Sequence, residues 1–151
     1  MKVYLAAPFF NPQQIKIVED VEEVLNQCQG ILQYYSPRQS GIVLKDLPPA
    51  IRMARAKEVY DANIANMEWC DVIVAVVDGR DAGTFFEIGW GIARGKIIIT
   101  YTAKNYGLNV MLQESVAAHV TNMFDLLTIL KGGATREACA RYRNFNPEGV
   151  T

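Results

Sequence analysis

The run "DVIVAVV", residues 71–77, is the feature that most limits what this chain can fold into. After its first residue it is apolar without a break, which is typical of a strand that is covered on both faces in a parallel sheet. A second run of this kind, "KIIITY" at residues 96–101, follows after a stretch with helical character. Such strands connected by helices predict a doubly wound α/β domain with a parallel sheet.

The remaining segments continue this alternation of strands and helices. Asn11 suits a helix N-cap and Pro12 suits the first turn that follows it. Further strands are predicted at residues 2–6, 31–35 and 117–120, and helices at residues 12–29, 50–69, 84–94, 109–116 and 122–130. In the helix at 50–69, the predicted inward positions are Ile51, Ala54, Val59, Ile64 and Met67. The 151 residues are therefore expected to form one domain around a five-stranded sheet.

Composition and charge argue against several classes of function. The net charge is −1 and no long run of one sign occurs, so a nucleic-acid polymer is not expected as a partner. No apolar stretch is long enough to span a bilayer, so no membrane partner is expected. Cys28, Cys70 and Cys139 are odd in number and form no C-x-x-C pair, which indicates reduced thiols in a cytoplasmic protein. The single histidine, His119, lies in a predicted strand, so no metal site is expected.

Three carboxylates follow the strand at 71–77, at the sheet edge where ligands bind in such folds. Asp78 precedes a glycine and is interpreted as a turn residue, whereas Asp81 and Glu87 are candidates for a site. Thr84 and Glu87 have the spacing of a capping box, in which Glu87 would bond back to the helix start. Alternatively, Glu87 is a catalytic carboxylate that points toward Tyr4, and the helix N-terminus would favour its ionised form.

Two glycines and one long loop also mark this region. Gly89 and Gly91 lie inside the helix at 84–94, where each costs about 1 kcal/mol relative to alanine, and close packing on the sheet is the expected compensation for both. The loop at residues 36–49 is rich in turn residues and long enough to be functional. No G-x-G-x-x-G follows the first strand and no P-loop motif occurs, so dinucleotide and P-loop functions lose their main support.

Several segments along nearly the whole chain carry a recognisable pattern. "DAGTFFEIGWGIARGK" contains a D-x-G-x-x-x-E-x-G block, and "VYLAAPFF", "YDANIANMEWCDVIVAVVDG", "YGLNVML" and "NFNPEGVT" occur around it in order. In this pattern the chain resembles the nucleoside 2-deoxyribosyltransferases. The resemblance implies a flavodoxin-like, doubly wound α/β fold. It also implies an enzyme that moves a 2-deoxyribosyl group between nucleobases of 2′-deoxynucleosides, with retention and without a cofactor.

The resemblance also assigns roles to individual residues. Glu87 would be the nucleophile that forms a covalent glycosyl intermediate, Tyr4 would orient its carboxylate, and Asp81 would bind the sugar hydroxyls. Asn109 would reach the 5′-hydroxyl from a neighbouring subunit, so that a homo-oligomer based on dimers, up to a hexamer, would share its sites. The other implied substrate-binding residues are Arg38 and Gln39 beside the base, Phe9 for stacking, Gly83 in the catalytic block, and Thr151 at the end of a site-closing tail, residues 144–151.

One position departs from the family pattern. The family usually has an aspartate eight residues before the aspartate that opens the third strand, where it helps to protonate the leaving base, and this chain has Asn63 at that catalytic position. An amide can hydrogen-bond the base but cannot act as a general acid.

Two alternative functions were weighed against transfer. One is an N-glycosidase that hydrolyses (deoxy)nucleoside 5′-monophosphates, which would need more phosphate-binding groups near the first strand than Thr84 alone. The other is a non-catalytic binding module, which would need a polar first loop where this chain has an apolar one.

Overall fold

Residues 1–104 and 107–143 are described by the computed structural model, and they form five β-strands and six α-helices. The strands are β1 (Lys2–Ala6), β2 (Gln33–Tyr35), β3 (Val72–Val76), β4 (Ile97–Tyr101) and β5 (Ala118–Val120). The helices are α1 (Pro12–Asn26), α2 (Pro49–Trp69), α3 (Ala82–Ala93), α4 (Val110–Ser115), α5 (Met123–Lys131) and α6 (Arg136–Ala140). Neighbouring strands are parallel throughout and lie in the order β2-β1-β3-β4-β5. The predicted doubly wound, flavodoxin-like α/β fold is therefore confirmed.

The strand order alone predicts where this sheet binds a ligand. The chain passes from β1 to β2 on one side and then crosses back to β3 on the other side of β1. A ligand in such a sheet binds in the crevice at the carboxyl ends of the two strands where the order reverses. That crevice lies beyond the paired residues Ala6 and Ala75, at the ends of β1 and β3.

The sheet is covered on both faces, which explains the continuous apolar runs. Val3 and Leu5 pack beneath α1 and α5, whereas Tyr4 and Ile73 pack on the opposite face beneath α2 and α3. Side chains alternate along a strand, so Tyr4 must lie on the same face as α3. Among the described helices, none has both the length and the apolar character that crossing a bilayer requires.

The start of α1 agrees with the prediction, and its end does not. The Asn11 side chain caps the helix by accepting from the Gln14 N–H at 2.9 Å, and Pro12 is the first helical residue. The helix ends at Asn26 rather than near residue 29, and β2 begins at Gln33 rather than at residue 31. The intervening residues form turns closed by backbone hydrogen bonds, such as the 3.1 Å bond from Ile31 N–H to the Cys28 carbonyl.

Helix α2 is more exposed than its sequence pattern predicts. Met67 is its only fully buried residue, and the predicted inward positions Ile51 and Ala54 are exposed. The first turns of α2 pack against a short 3-10 turn at Leu44–Asp46 rather than against the sheet. The other two predicted inward residues are half-buried, because the helix approaches the sheet only toward its C-terminal end.

Helix α3 begins at Ala82, earlier than the predicted start at residue 84. Its N-cap is Asp81, whose Oδ2 accepts from the Thr84 backbone N–H at 2.8 Å and from the Thr84 hydroxyl at 3.0 Å. Aspartate and threonine are both good N-cap residues, and here the aspartate is used. Thr84 is therefore not the cap, and Glu87 lies in the second turn of α3 rather than in the first.

The two glycines inside α3 have different environments. A Cβ on Gly91 would lie 2.5 Å from Cδ1 of Ile73 and 2.9 Å from Cδ1 of Ile98, closer than side chains can approach. Gly91 therefore lets α3 lie directly on β3 and β4, as predicted. A Cβ on Gly89 would meet nothing within 4 Å, so the prediction of close packing is wrong for Gly89, which is exposed.

Candidate active site

Tyr4 and Glu87 meet at the crevice between β1 and β3. Tyr4 is fully buried in β1, and Glu87 projects from α3, which lies on the same face of the sheet. The Tyr4 hydroxyl donates to Oε1 of Glu87 across 2.5 Å. The Glu87 side chain thus points toward Tyr4 and not back to the helix start, which excludes the capping-box alternative.

Burial dominates the ionisation of Glu87. It raises the pKa of this carboxyl from 4.5 to about 7, the Tyr4 hydrogen bond opposes the rise by stabilising the carboxylate, and the nearby charge of Asp81 adds to it. The effect of a helix N-terminus is confined to the first turn, so the predicted preference for the ionised form is outweighed by burial. Burial and then the Glu87 charge raise the pKa of Tyr4, so its hydroxyl stays protonated and remains a donor.

A pocket opens beside Glu87. Its lining includes two carboxylates, Glu87 and Asp81, together with Gly83, Thr84 and Asn63. The other lining residues are mostly apolar: Ala7, Phe9, Phe10, Pro37, Ser40, Ile42, Val43, Leu44, Lys45 and Val59. The pocket therefore combines two carboxylates with flat and branched apolar side chains.

The two aspartates that follow β3 have different roles. Asp81 is half-buried and lines the pocket while its Oδ2 caps α3. Asp78 is buried and accepts from the Thr102 hydroxyl at 3.1 Å and from the backbone N–H groups of Ala103 and Lys104 at 2.8 and 3.2 Å. Asp78 thus fixes the segment after β4, which agrees with its interpretation as a structural turn residue.

Asn63 lies in the same pocket and is linked to Tyr4 through a second tyrosine. The rings of Tyr4 and Tyr35 stack with centroids 5.7 Å apart. The Tyr35 hydroxyl donates to Oδ1 of Asn63 in a long hydrogen bond of 3.5 Å. The structure therefore brings four of the predicted residues, Tyr4, Asn63, Asp81 and Glu87, to one crevice, together with Phe9 and Gly83.

Arg38 and Gln39 lie outside this pocket. The Arg38 guanidinium is paired with the buried carboxylate of Glu22 in α1, to which the Ser36 hydroxyl also donates at 2.7 Å. Gln39 donates to the Tyr34 hydroxyl at 3.1 Å. The loop does line the pocket, but through Pro37, Ser40 and residues 42–45 instead of the two residues predicted to contact the base.

Asn109 is not part of this crevice, and the predicted residue Thr151 is not among the described residues. Asn109 caps α4 by accepting from the Met111 N–H at 2.9 Å, and it lines a separate pocket with Arg80, Phe85 and Leu112. Thr151 and the rest of the tail at residues 144–151 lie outside the described residues.

The predicted site residues do not include the apolar part of the loop or the side chains that hold it. Ile42, Val43 and Leu44 face the pocket, Lys45 lines its edge, and Arg52 of α2 bonds to the loop backbone. We call Ile42, Val43 and Leu44 the apolar wall. The sequence does carry a signal for this wall, since "IVL" is an uninterrupted apolar run in an otherwise turn-rich loop. Nothing in the sequence indicates the contacts of Arg52, because they are made to backbone carbonyls.

Other titratable groups among the described residues serve the fold. No group of three histidine, cysteine, aspartate or glutamate side chains comes together there as a metal site. His119 is buried in β5, with Nδ1 3.0 Å from the Thr100 hydroxyl. Cys28, Cys70 and Cys139 are buried and form no disulfides.

The chain is similar to known proteins in sequence and in fold. Residues 3–125 match the model of the nucleoside 2-deoxyribosyltransferase family. The 2-deoxyribosyltransferase from the psychrotolerant bacterium Bacillus psychrosaccharolyticus has a similar structure, with a TM-score of 0.71 and 25% identity over 84% of this chain and 90% of its own. No curated protein sequence matches the chain.

Two further solved structures share the fold at lower identity. The Leishmania mexicana 2-deoxyribosyltransferase has a TM-score of 0.51 and 22% identity over 75% of this chain and 69% of its own. The Clostridium botulinum CMP N-glycosidase BcmB has a TM-score of 0.57 and 20% identity over 87% of this chain and 99% of its own. The family match covers most of the chain and includes every residue of the crevice. The protein is therefore an enzyme of the class that acts on nucleosides, as transferase or N-glycosidase, and it belongs to the nucleoside 2-deoxyribosyltransferase family.

Proposed function

We propose that the protein transfers a 2-deoxyribosyl group between nucleobases of 2′-deoxynucleosides, with Glu87 as the nucleophile. The observation that carries this proposal is the 2.5 Å hydrogen bond from Tyr4 to Glu87, in a pocket lined by two carboxylates and by mostly apolar residues. Tyr4 orients Oε1 and leaves Glu87 as a carboxylate held at the carboxyl ends of β1 and β3. A fixed, partly desolvated carboxylate is the group that covalent glycosyl transfer requires.

In the first step, an oxygen of Glu87 attacks the anomeric carbon from the face opposite the base. The C–N glycosidic bond breaks, its electron pair goes to the base nitrogen, and an ester bond forms between Glu87 and the sugar. The departing base takes up one proton. Asn63 can donate a hydrogen bond to the base as charge builds on it, but as an amide it does not supply that proton.

In the second step, a nitrogen of the incoming base attacks the same carbon and the bond to Glu87 breaks. The carboxylate is regenerated, and the incoming base loses one proton. Two inversions at one carbon give net retention. If water takes the place of the incoming base, the same intermediate gives hydrolysis.

The lining residues support the placement of sugar and base. Asp81 and Gly83 lie beside Glu87, where a bound deoxyribose would present its hydroxyls. The base leaves from the face of the sugar opposite Glu87, where Phe9, Ile42 and Leu44 offer apolar contact to a planar ring. In this proposal these apolar residues bind the base by contact with the flat faces of its ring, which present few hydrogen-bond donors or acceptors.

Asn109 and the tail belong to the proposal in a different way. Asn109 lines a pocket separate from that of Glu87 in the same chain, which fits a role in the site of a neighbouring subunit. A homo-oligomer with shared sites follows from that role. The tail at residues 144–151, ending at Thr151, is proposed to close over the substrate.

The alternative function is hydrolysis of nucleoside 5′-monophosphates, and the hydroxyls of the pocket argue against it. The Thr84 hydroxyl donates to Asp81 and the Ser40 hydroxyl donates to the Pro37 carbonyl. The ammonium of Lys45 donates to the Phe10 carbonyl at 2.6 Å. The two hydroxyls are thus engaged within the protein, and Lys45, with two further N–H donors, is the one cationic group among the described residues that line this pocket.

The test is incubation with a 2′-deoxynucleoside and a different free base, followed by chromatography. Transfer predicts the exchanged nucleoside, and a Glu87 peptide carrying one deoxyribosyl group should be detected by mass spectrometry after rapid acid quench. E87Q should abolish both, whereas E114Q, a carboxyl-to-amide change at an exposed position of α4, should retain them. Release of base and free sugar without exchange would indicate the N-glycosidase, and full activity of E87Q would refute the nucleophile.

A further inference from the structure

One guanidinium group holds the apolar wall of the pocket. Arg52 in α2 donates from Nε to the Leu44 carbonyl at 3.0 Å. It also donates from one terminal nitrogen to the carbonyls of Lys45 and Leu47, at 3.0 and 3.1 Å. These carbonyls belong to and directly follow the 3-10 turn at Leu44–Asp46. Arg52 therefore fixes the backbone of the residues that face the ligand, although it does not itself line the pocket.

The geometry requires arginine rather than any cation. A guanidinium presents five N–H donors in a rigid planar fork, and so it can satisfy three converging carbonyls at once. A lysine ammonium is a compact charge on a flexible stem and would reach fewer of them. A second contact holds the same part of the loop: the Lys45 side chain donates to the carbonyl of Phe10, which follows β1. This part of the loop is thus linked both to α2 and to the segment between β1 and α1.

We propose that Arg52 is a positioning residue that pre-forms the binding surface for the nucleobase. The inference rests on the proposed function, since it takes residues 42–45 as the base side of the pocket. A wall that is already ordered before binding costs no ordering free energy when the base arrives. Loss of Arg52 frees the backbone of the wall, so the base must order the wall as it binds.

This role predicts that affinity and chemistry respond separately. The Tyr4–Glu87 pair belongs to β1 and α3, whereas Arg52 bonds to carbonyls of the loop. Replacing Arg52 should therefore raise the Kd and the KM for the free base while leaving kcat at saturating base and the acid limb of the pH profile nearly unchanged. General destabilisation of α2 would not produce this division.

The experiment compares R52A and R52K with the matched control R55A. Arg55 lies on the same helix, and its partner among the residues that the structure describes is Glu58, three residues further on. Isothermal titration calorimetry with adenine and with cytosine measures affinity for the free base, and exchange kinetics give KM and kcat. In R52A, Kd and KM should rise about tenfold for whichever base binds the wild type, with R52K intermediate and R55A unchanged.

Each outcome decides the matter. If the wild type binds and exchanges a base and R52A binds it equally well, the positioning role is refuted while the proposed function stands. If R52A and R55A lose affinity equally, the effect is general to the helix and the role is again refuted. If the wild type binds neither base and exchanges none, the pocket is not a base site and both proposals fall. Should R52A fail to fold, R52K carries the same comparison.

Discussion

Replacing Tyr4 by phenylalanine tests how Glu87, the proposed nucleophile, is held. The substitution keeps the buried ring in β1, including its stacking on Tyr35, and removes only the hydroxyl that donates to Glu87. That hydroxyl opposes the rise in the pKa of Glu87 that burial causes. Without it, the pKa of Glu87 must rise above about 7, because the buried carboxylate loses a hydrogen bond that its neutral form needs less.

The size of the effect follows from the geometry. A short hydrogen bond to a charged group contributes roughly 1.5–3 kcal/mol, which corresponds to about one to two pH units at 1.36 kcal/mol per unit. Attack on the sugar requires the ionised carboxylate, so activity is lost as the pH falls through the pKa of Glu87. Y4F should therefore lower kcat/KM at pH 7 by about five- to fiftyfold and recover much of the loss at higher pH.

The assay is the pH dependence of kcat/KM for base exchange, since this ratio reports the ionisation of the free enzyme. The wild type should show an acid limb near pH 7, and Y4F should show the same limb at higher pH. Y35F is the matched control, because its hydroxyl donates to Asn63 and not to Glu87, and its limb should stay in place. An acid limb that is unmoved or lower in Y4F would refute the reasoning.

Three further predictions concern the same crevice and the helix behind it. Because folding raises the pKa of Glu87 from 4.5 to about 7, its contribution to stability is complete below the unfolded value and is lost as the pH rises through 7. In urea unfolding, the free energy of unfolding of E87Q relative to that of the wild type should therefore increase between pH 5 and pH 8, by up to about 3 kcal/mol. A difference that does not change with pH would contradict this prediction. G91A should unfold at markedly lower temperature, whereas G89A should be neutral or more stable by about 1 kcal/mol; equal melting temperatures would refute the packing difference. N63D should accelerate exchange about tenfold or more for poor leaving bases, because a protonated carboxyl can donate to the leaving base, and it should do so only below the pKa of that carboxyl. An unchanged rate across a series of leaving bases would contradict this prediction.

The parts of the fold that sequence predicts well are those fixed by burial along one segment. The strand at 72–76 must be apolar at every position because α-helices cover both faces of the sheet, and its pattern is unambiguous. Asn11 and Pro12 mark the start of α1 through local chemistry alone. In α2 the same kind of local pattern misleads, because the position of Ile51 along the helix carries it beyond the edge of the sheet.

The parts of the site that sequence predicts poorly depend on distant partners. Asp81 and Thr84 are both acceptable caps, and only the placement of α3 on the sheet decides between them. Arg38 was expected at the base, but a buried carboxylate sixteen residues earlier in α1 binds its guanidinium. The direction of Glu87 is decided by Tyr4, which lies 83 residues away in the chain. The direction of Glu87 toward Tyr4 could be predicted through the resemblance, whereas the cap of α3 and the partner of Arg38 could not.

In the proposed mechanism, the burial that makes Glu87 costly to the fold also makes it useful to the reaction. A carboxylate removed from water is more basic than an exposed one, so it has more to gain from forming a bond to carbon. It also resists ionisation, and a nucleophile that stays protonated is inert. Tyr4 resolves this conflict, because its hydrogen bond favours the carboxylate without adding a positive charge that would quench it. Asp81 acts in the opposite sense through its charge. The working pH range of the enzyme should therefore follow from the balance of these two neighbours, and D81N should move the acid limb down where Y4F moves it up.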